Sequence, residues 1–219
     1  MFHSLFASWM QLTRDWGYGG VFLMMAIEST VFPLPSEIVV PPAAYWARQG
    51  HFSFWGIVLA STLGSWAGSA VSYWVARRLG RPLILRYGRY VFVPESKWLM
   101  AEQWIRRYSA AGVFFARLLP VVRHLVSLPA GAARLPFATF SIMTLLGSAV
   151  WSTVLAWFGA QVLGDQPRLL EDPDALVHVL KDKLLWFVAA AAVLFGLYVA
   201  VDLIGRKLKR EAAGEAELP

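Results

Sequence analysis

Three stretches of the chain stay apolar long enough to cross a hydrocarbon core of about 30 Å, which takes roughly 20 helical residues. They run from Phe52 to Ala76, from Phe137 to Leu163 and from Leu184 to Val201. The first two contain no charged residue, and the third meets Asp202 only at its end. Both charge-free runs hold clusters of small residues, Gly64, Ser65, Gly68 and Ser69 in one and Gly147, Ser148 and Ala149 in the other. Small side chains let helices approach closely where lipid offers no hydrophobic drive for association. The pattern predicts transmembrane helices over 52–76 and 137–163 and a C-terminal one over 184–204. Between the first two, Trp98, Ala101, Ile105 and Tyr108 fall at helical spacing, which predicts an interfacial helix over 94–108. Met1 to Gln11 lacks the basic region of a signal peptide, so the chain is expected to be retained whole.

Composition agrees with a polytopic membrane protein. Of 219 residues, 58% are hydrophobic and only 16% charged, where a soluble domain needs nearer a quarter to keep its surface wet. The 11 Trp, 7 Tyr and 14 Phe suit bilayer interfaces. The absence of Cys excludes disulfide frameworks, zinc-thiolate sites, iron–sulfur clusters and thiol nucleophiles. The net charge of +6 is read as basic cytoplasmic loops, not as nucleic-acid binding. Eight Lys/Arg against two acids lie between Arg77 and Arg107, and four more basic residues follow Gly205. The 164–183 loop carries three basic and five acidic residues. The positive-inside rule therefore places 77–107 and the C-terminus in the cytoplasm and 164–183 outside.

Two further apolar stretches are broken. Residues 17–47 are interrupted by Glu28, Glu37, Pro33, Pro35, Pro41 and Pro42, and residues 110–136 by Arg117, Arg123, Pro120, Pro129 and Arg134. Proline removes a backbone donor and clashes one turn back, so neither stretch reads as one straight helix. Non-helical backbone at membrane depth survives only against protein or a wet cavity. Each stretch is therefore expected to form a re-entrant hairpin broken at Pro33, Pro35 and Pro120. Gly20-Val21-Phe22 is echoed by Gly112-Val113-Phe114, and Leu63-Gly64-Ser65 by Leu146-Gly147-Ser148. The expected fold is all-α: two opposed re-entrant hairpins in an inverted repeat, each followed by a transmembrane helix, plus a C-terminal transmembrane helix. Residues 1–165 form the core, and 166–219 supply a loop, the last helix and a basic tail.

The charges inside these stretches carry the candidate chemistry. Each costs about 2.5–3.5 kcal/mol near the bilayer centre, so four unpaired ones would cost roughly 10–14 kcal/mol. Glu28, Glu37, Arg117 and Arg123 must pair, line a wet cavity or, for the glutamates, take up a proton. A purely structural Glu–Arg lock is one reading. The other is a receptor for an anionic headgroup, with Arg117 and Arg123 forking onto phosphate oxygens and Glu28 or Glu37 coupling occupancy to protonation. His124, beside Arg123, is an accessory candidate or a packing histidine.

Glu28-Ser-Thr-Val-Phe-Pro33-Leu-Pro35-Ser-Glu37, Phe114-Phe-Ala-Arg117-Leu-Leu-Pro120-Val-Val-Arg123 and Ala130-Gly131 together resemble the DedA family of bacterial membrane proteins, whose wider superfamily includes VTT-domain lipid scramblases. The resemblance covers roughly residues 17–165. It implies opposed re-entrant hairpins and phospholipid translocation across the bacterial inner membrane. The implied cargo is undecaprenyl phosphate in many members and phosphatidylethanolamine in others. It also implies proton dependence and essential roles for Glu28, Glu37, Arg117 and Arg123. Two departures stand out: Pro42-Ala43-Ala44 where many relatives have Ala-Gly, and apolar Val39 and Val40 where some carry a further acid.

No enzyme constellation is present. His3, His51, His124 and His178 do not cluster in sequence as a lipid phosphatase requires, Gly64-Ser65-Trp66-Ala67-Gly68 lacks the order of a nucleophile elbow, and no pair has metal spacing. No cofactor is expected beyond protons as a coupling ion, and the expected partners are membrane lipids, with no nucleic acid. A transporter of a small soluble anion or drug, a structural membrane protein, and assembly into a homo-oligomer stay open.

Overall fold

The computed structural model describes residues 15–30, 36, 39–87, 105, 108, 110–119 and 122–165, with scattered positions between 185 and 199. The chain divides into two compact units, Met1–Lys181 and Asp182–Pro219. In the smaller unit the described positions are all helical, and Leu185 and Val193 are exposed. The rest of the expected 184–204 helix, the tail and the 166–183 loop lie outside the described residues. So does most of the expected 94–108 helix, of which Ile105 and Tyr108 are described as helical.

The larger unit is all-helical among its described residues. Its elements are α1 (Tyr18–Glu28), α2 (Val40–Arg48), α3 (Phe54–Tyr87), α4 (residues 110–117), α5 (Val122–Leu125), α6 (Ser127–Ala132) and α7 (Phe137–Asp165). Within α3 and α7, Phe54–Leu79 and Phe137–Gln161 are long and apolar enough to span a membrane. α7 agrees with the 137–163 expectation. α3 runs on past Ala76, because hydropathy marks where lipid ends and not where a helix ends; arginine and leucine are good helix formers. Trp55, Leu59, Leu63, Val71 and Leu79 of α3 and Ile142, Leu146 and Trp157 of α7 are exposed, while serines and two threonines, Thr62 and Thr144, are buried. That is the outer surface lipid requires and water penalises.

The two long helices run antiparallel. Ser61 Oγ and Ser152 Oγ share a hydrogen bond of 2.8 Å, and further along the Tyr73 and Phe140 rings stack with centroids 4.7 Å apart. The broken stretches pack on them crosswise: α1 lies along α3 and α2 along α7, while α6 lies along α3. α4 meets α7 at Gly147.

The first broken stretch begins and ends at one place. Ser53 N–H donates to the Tyr18 hydroxyl at 2.7 Å, and the Tyr18 and Phe52 rings meet edge to face at 5.4 Å. Just past the end of α1, the Ser29 and Thr30 carbonyls of this stretch accept hydrogen bonds from Ser72 Oγ at 3.4 and 3.0 Å, about five turns further along α3. Two of the prolines expected to interrupt it do not: Pro41 and Pro42 open α2, where the missing N–H has no helical partner to lose. Pro129 likewise sits in the first turn of α6. Pro33, Pro35 and Pro120 lie outside the described residues.

Close approach explains the repeated Leu-Gly-Ser tripeptide. A Cβ on Gly64 would overlap the Phe22 carbonyl and lie 3.0 Å from Met25 Cβ. A Cβ on Gly147 would lie 3.1 Å from the Phe114 carbonyl and 2.6 Å from Arg117 Cβ. In both places a broken stretch lays its backbone on a long helix at a position that only glycine leaves open.

Candidate functional site

α1 ends at Glu28, which is 1% exposed, and α4 ends at Arg117, which is 3% exposed. After Arg117 the helix tightens, Leu118 N–H bonding to Phe115 C=O and Leu119 N–H to Ala116 C=O, and the chain resumes as α5 with Arg123 buried. Arg117 ties the two sides of this break: Nη1 donates to the Arg123 carbonyl at 3.0 Å and Nη2 to Ser127 Oγ at 2.8 Å. Its Nε has no hydrogen-bond partner among the described residues.

Arg123 reaches across to the first broken stretch. Its Nη2 pairs with Glu28 Oε1 and donates to Ser36 Oγ at 2.5 Å. Trp151 of α7 donates from Nε1 to the same hydroxyl at 3.2 Å, and its ring lies 5.0 Å from the Arg123 guanidinium carbon. His124 Nε2 stands 3.9 Å from Glu28 Oε1 and 3.4 Å from Arg123 Nε. A cavity lined by Ser29, Ser65, Arg117, Arg123, His124, Ser148 and Trp151 opens beside the pair and admits about one water molecule.

Three of the four expected charges thus meet, with His124 beside them. Glu37 lies outside the described residues. Among the described residues the buried charged side chains are Glu28, Arg117 and Arg123, one carboxylate against two guanidinium groups. Removing such groups from water without compensation is costly, and here each has named polar partners. Among the described residues the cavity thus carries one guanidinium in excess of its carboxylate. Among the described residues no group of three or more His, Asp or Glu could hold a metal ion.

Ser36 and Trp151 are site residues that sequence reasoning passed over. Ser36 stood inside the Glu28–Glu37 motif, between two louder residues. Trp151 sits in a charge-free span, where tryptophan reads as a lipid-facing anchor; in the structure it is only 1% exposed.

An all-helical arrangement of the described residues, with two apolar spans beside a charged cavity, is that of a membrane protein built around a buried ionic centre. The model of the VTT domain matches residues 34–161, and the chain belongs to this family, the DedA proteins. It is 36% identical over 163 residues to undecaprenyl phosphate transporter A of Bacillus subtilis (strain 168), covering 74% of this chain and 80% of that protein. It is 26% identical over 198 residues to undecaprenyl phosphate transporter A of Staphylococcus aureus (strain NCTC 8325 / PS 47), covering 87% and 92%. A relative from Lactococcus lactis subsp. cremoris (strain MG1363), 33% identical over 166 residues and covering 74% and 77%, carries the name alkaline phosphatase-like protein. No solved structure matches the chain.

Proposed function

We propose that the protein is a proton-dependent lipid translocase of the bacterial inner membrane, moving a phosphate-headgroup lipid, undecaprenyl phosphate or a phospholipid, between leaflets. The observation that carries this reading is the convergence of two buried guanidinium groups: Arg117 and Arg123 face one cavity, with Glu28 held against Arg123. Two relatives named for undecaprenyl phosphate transport support the cargo class.

The fold reading goes with it. Residues 17–47 and 110–136 are two re-entrant hairpins entering from opposite faces. The meeting of Tyr18 with Phe52 and Ser53 supports a first hairpin that returns to its starting face. The matching seats of Phe22 on Gly64 and Phe114 on Gly147, on antiparallel helices, support an inverted repeat. The C-terminus is cytoplasmic, following the basic residues after Gly205.

In this reading the Glu28–Arg123 pair is the occluded state. A phosphate needs more room than one water and needs the guanidinium fork that Glu28 now holds. A proton on Glu28 Oε1 cancels the carboxylate charge and frees Arg123 Nη2 for a phosphate oxygen, while Arg117 supplies a second cation. Glu37 is proposed as a further coupling carboxylate, with His124 as an accessory group at the rim. The role is binding and passage without bond cleavage; a histidine-phosphatase reading would need a second histidine beside His124.

The test is reconstitution into liposomes with labelled undecaprenyl phosphate and, separately, labelled phosphatidylethanolamine, with and without a pH gradient. Translocation of at least one lipid, responsive to the gradient and lost in Arg123→Gln, is the expected result. No translocation of either lipid would overturn the reading.

A further inference from the structure

The long helices carry a second polar feature beyond the cavity. Ser61, Ser65, Ser69 and Ser72 of α3 are all buried, spaced by four, four and three residues. Ser141, Thr144, Ser148 and Ser152 of α7 repeat that spacing in reverse, and all but part-buried Ser141 are buried. Because the helices are antiparallel, the two series fall at matching levels. Ser61 bonds to Ser152, Ser65 and Ser148 line the same cavity, and Ser69 with Thr144 follow one turn on, then Ser72 with Ser141.

Close packing alone does not call for this, since alanine and glycine fill the same space without a polar atom to satisfy. At one end Ser61 and Ser152 bond each other, and at the other Ser72 donates to Thr30 C=O. Thr153, off this face, bonds back to Ala149 C=O at 2.7 Å, a route open to any helical hydroxyl. Ser69 Oγ and Thr144 Oγ1 do neither: both residues are 0% exposed and neither hydroxyl has a partner among the described residues. The Ser141 hydroxyl, on the next level, is in the same position. Thr62 Oγ1, on another face of α3, is also without a partner among the described residues, but Ser69, Thr144 and Ser141 stand together next to a polar cavity, and that is where ordered water sits.

We propose that water extends from the cavity at Ser65 and Ser148 to the unmet hydroxyls of Ser69 and Thr144 and forms the proton route to the Glu28–Arg123 pair. The direct Ser61–Ser152 bond closes the column on one side, so the route runs from the cavity toward Ser72 and Thr30. A proton arriving along it enters a cavity lined by Arg117, Arg123, His124 and Ser29, with Ser65, Ser148 and the Trp151 indole from α3 and α7; Glu28 stands beside it, paired with Arg123 and 3.9 Å from His124 Nε2. The route rests on the proton-dependent reading above, whereas the water itself does not.

Ser69→Ala and Thr144→Val, singly and combined, test both parts, with Thr153→Val as the control. Thermal unfolding in detergent reads the water. Bridged hydroxyls predict that each single change lowers the midpoint by several degrees, and that the double change goes little beyond the larger single one, because shared water is lost once. A midpoint raised by both single changes is the sign of dry, unmet hydroxyls relieved by removal, and it overturns the proposal. Proteoliposomes holding labelled undecaprenyl phosphate under a pH gradient read the route. The gradient-driven component falls several-fold in Ser69→Ala and Thr144→Val and is kept in Thr153→Val. Unchanged gradient-driven movement in all three overturns the route while leaving the proton-dependent reading intact. A wild-type protein that moves lipid without regard to the gradient overturns both, a failure already visible before any substitution.

Discussion

The seats of α1 on α3 and of α4 on α7 begin alike and then diverge. In each, the carbonyl of a Gly-Val-Phe phenylalanine and the Cβ three residues later close onto a glycine of the long helix. The residue three positions on is Met25 in the first seat and Arg117 in the second. One turn beyond the glycine stand Gly68 and Trp151. At Gly68 the Ala26 carbonyl comes so near that a Cβ would overlap it, and Ser29 Cβ lies 3.0 Å from where that atom would be. At Trp151 the indole instead spans to Ser36 and lies over Arg123. The two differences, arginine in place of methionine and tryptophan in place of glycine, put the cation and the indole wall on the second seat, while the first supplies Glu28, Ser29 and Ser65.

The largest effect expected is at the pair joining the two halves. Arg123→Gln removes the cation that faces Glu28 and should lower stability by about 3–5 kcal/mol, the usual cost of breaking a buried ion pair from one side. Adding Glu28→Gln should restore part of that loss in thermal unfolding. A double variant as unstable as the single would show that the two side chains are not coupled.

The shared scaffold is tested at its glycines. Gly64→Ala and Gly147→Ala should each cost about 1–3 kcal/mol by overpacking, and by similar amounts, since both seats are closed by backbone and a Cβ. A loss confined to one site would break the comparison.

Smaller effects sharpen what separates the seats. Trp151→Phe keeps the ring but deletes the donor to Ser36 and weakens the contact with Arg123, costing about 1–2 kcal/mol and slowing lipid movement several-fold in the liposome assay. Met25→Leu, at the position matching Arg117, should change stability by less than about 1.5 kcal/mol and leave movement unaltered. Arg117→Lys should keep the charge yet slow movement, because lysine cannot reproduce the two-armed bond to the Arg123 carbonyl and Ser127.

Much of this was legible beforehand. Hydropathy located both long helices because a bilayer demands an unbroken apolar run, and the cost of buried charge singled out Glu28, Glu37, Arg117 and Arg123, of which the described residues bring Glu28, Arg117 and Arg123 together. The rest failed for identifiable reasons. Pro41 and Pro42 read as breaks because sequence does not say which turn of a helix a proline will occupy, and the first turn tolerates it. Trp151 was not singled out because the inward direction of a tryptophan in an apolar span depends on where α7 meets its neighbours. Ser65, Ser69 and Ser148 read as spacers because smallness and polarity are the same letter in a sequence, and only the antiparallel alignment separates them.

The crosswise packing of the broken stretches has a consequence for assembly. α2 belongs by sequence to the first half of the chain but rests on α7, and α6 belongs to the second half but rests on α3. Cut anywhere between Tyr87 and residue 110, the chain would yield two fragments that each lack the wall they lean on. Neither should survive synthesis by itself, and expressed together they should rescue one another like the halves of a clasp.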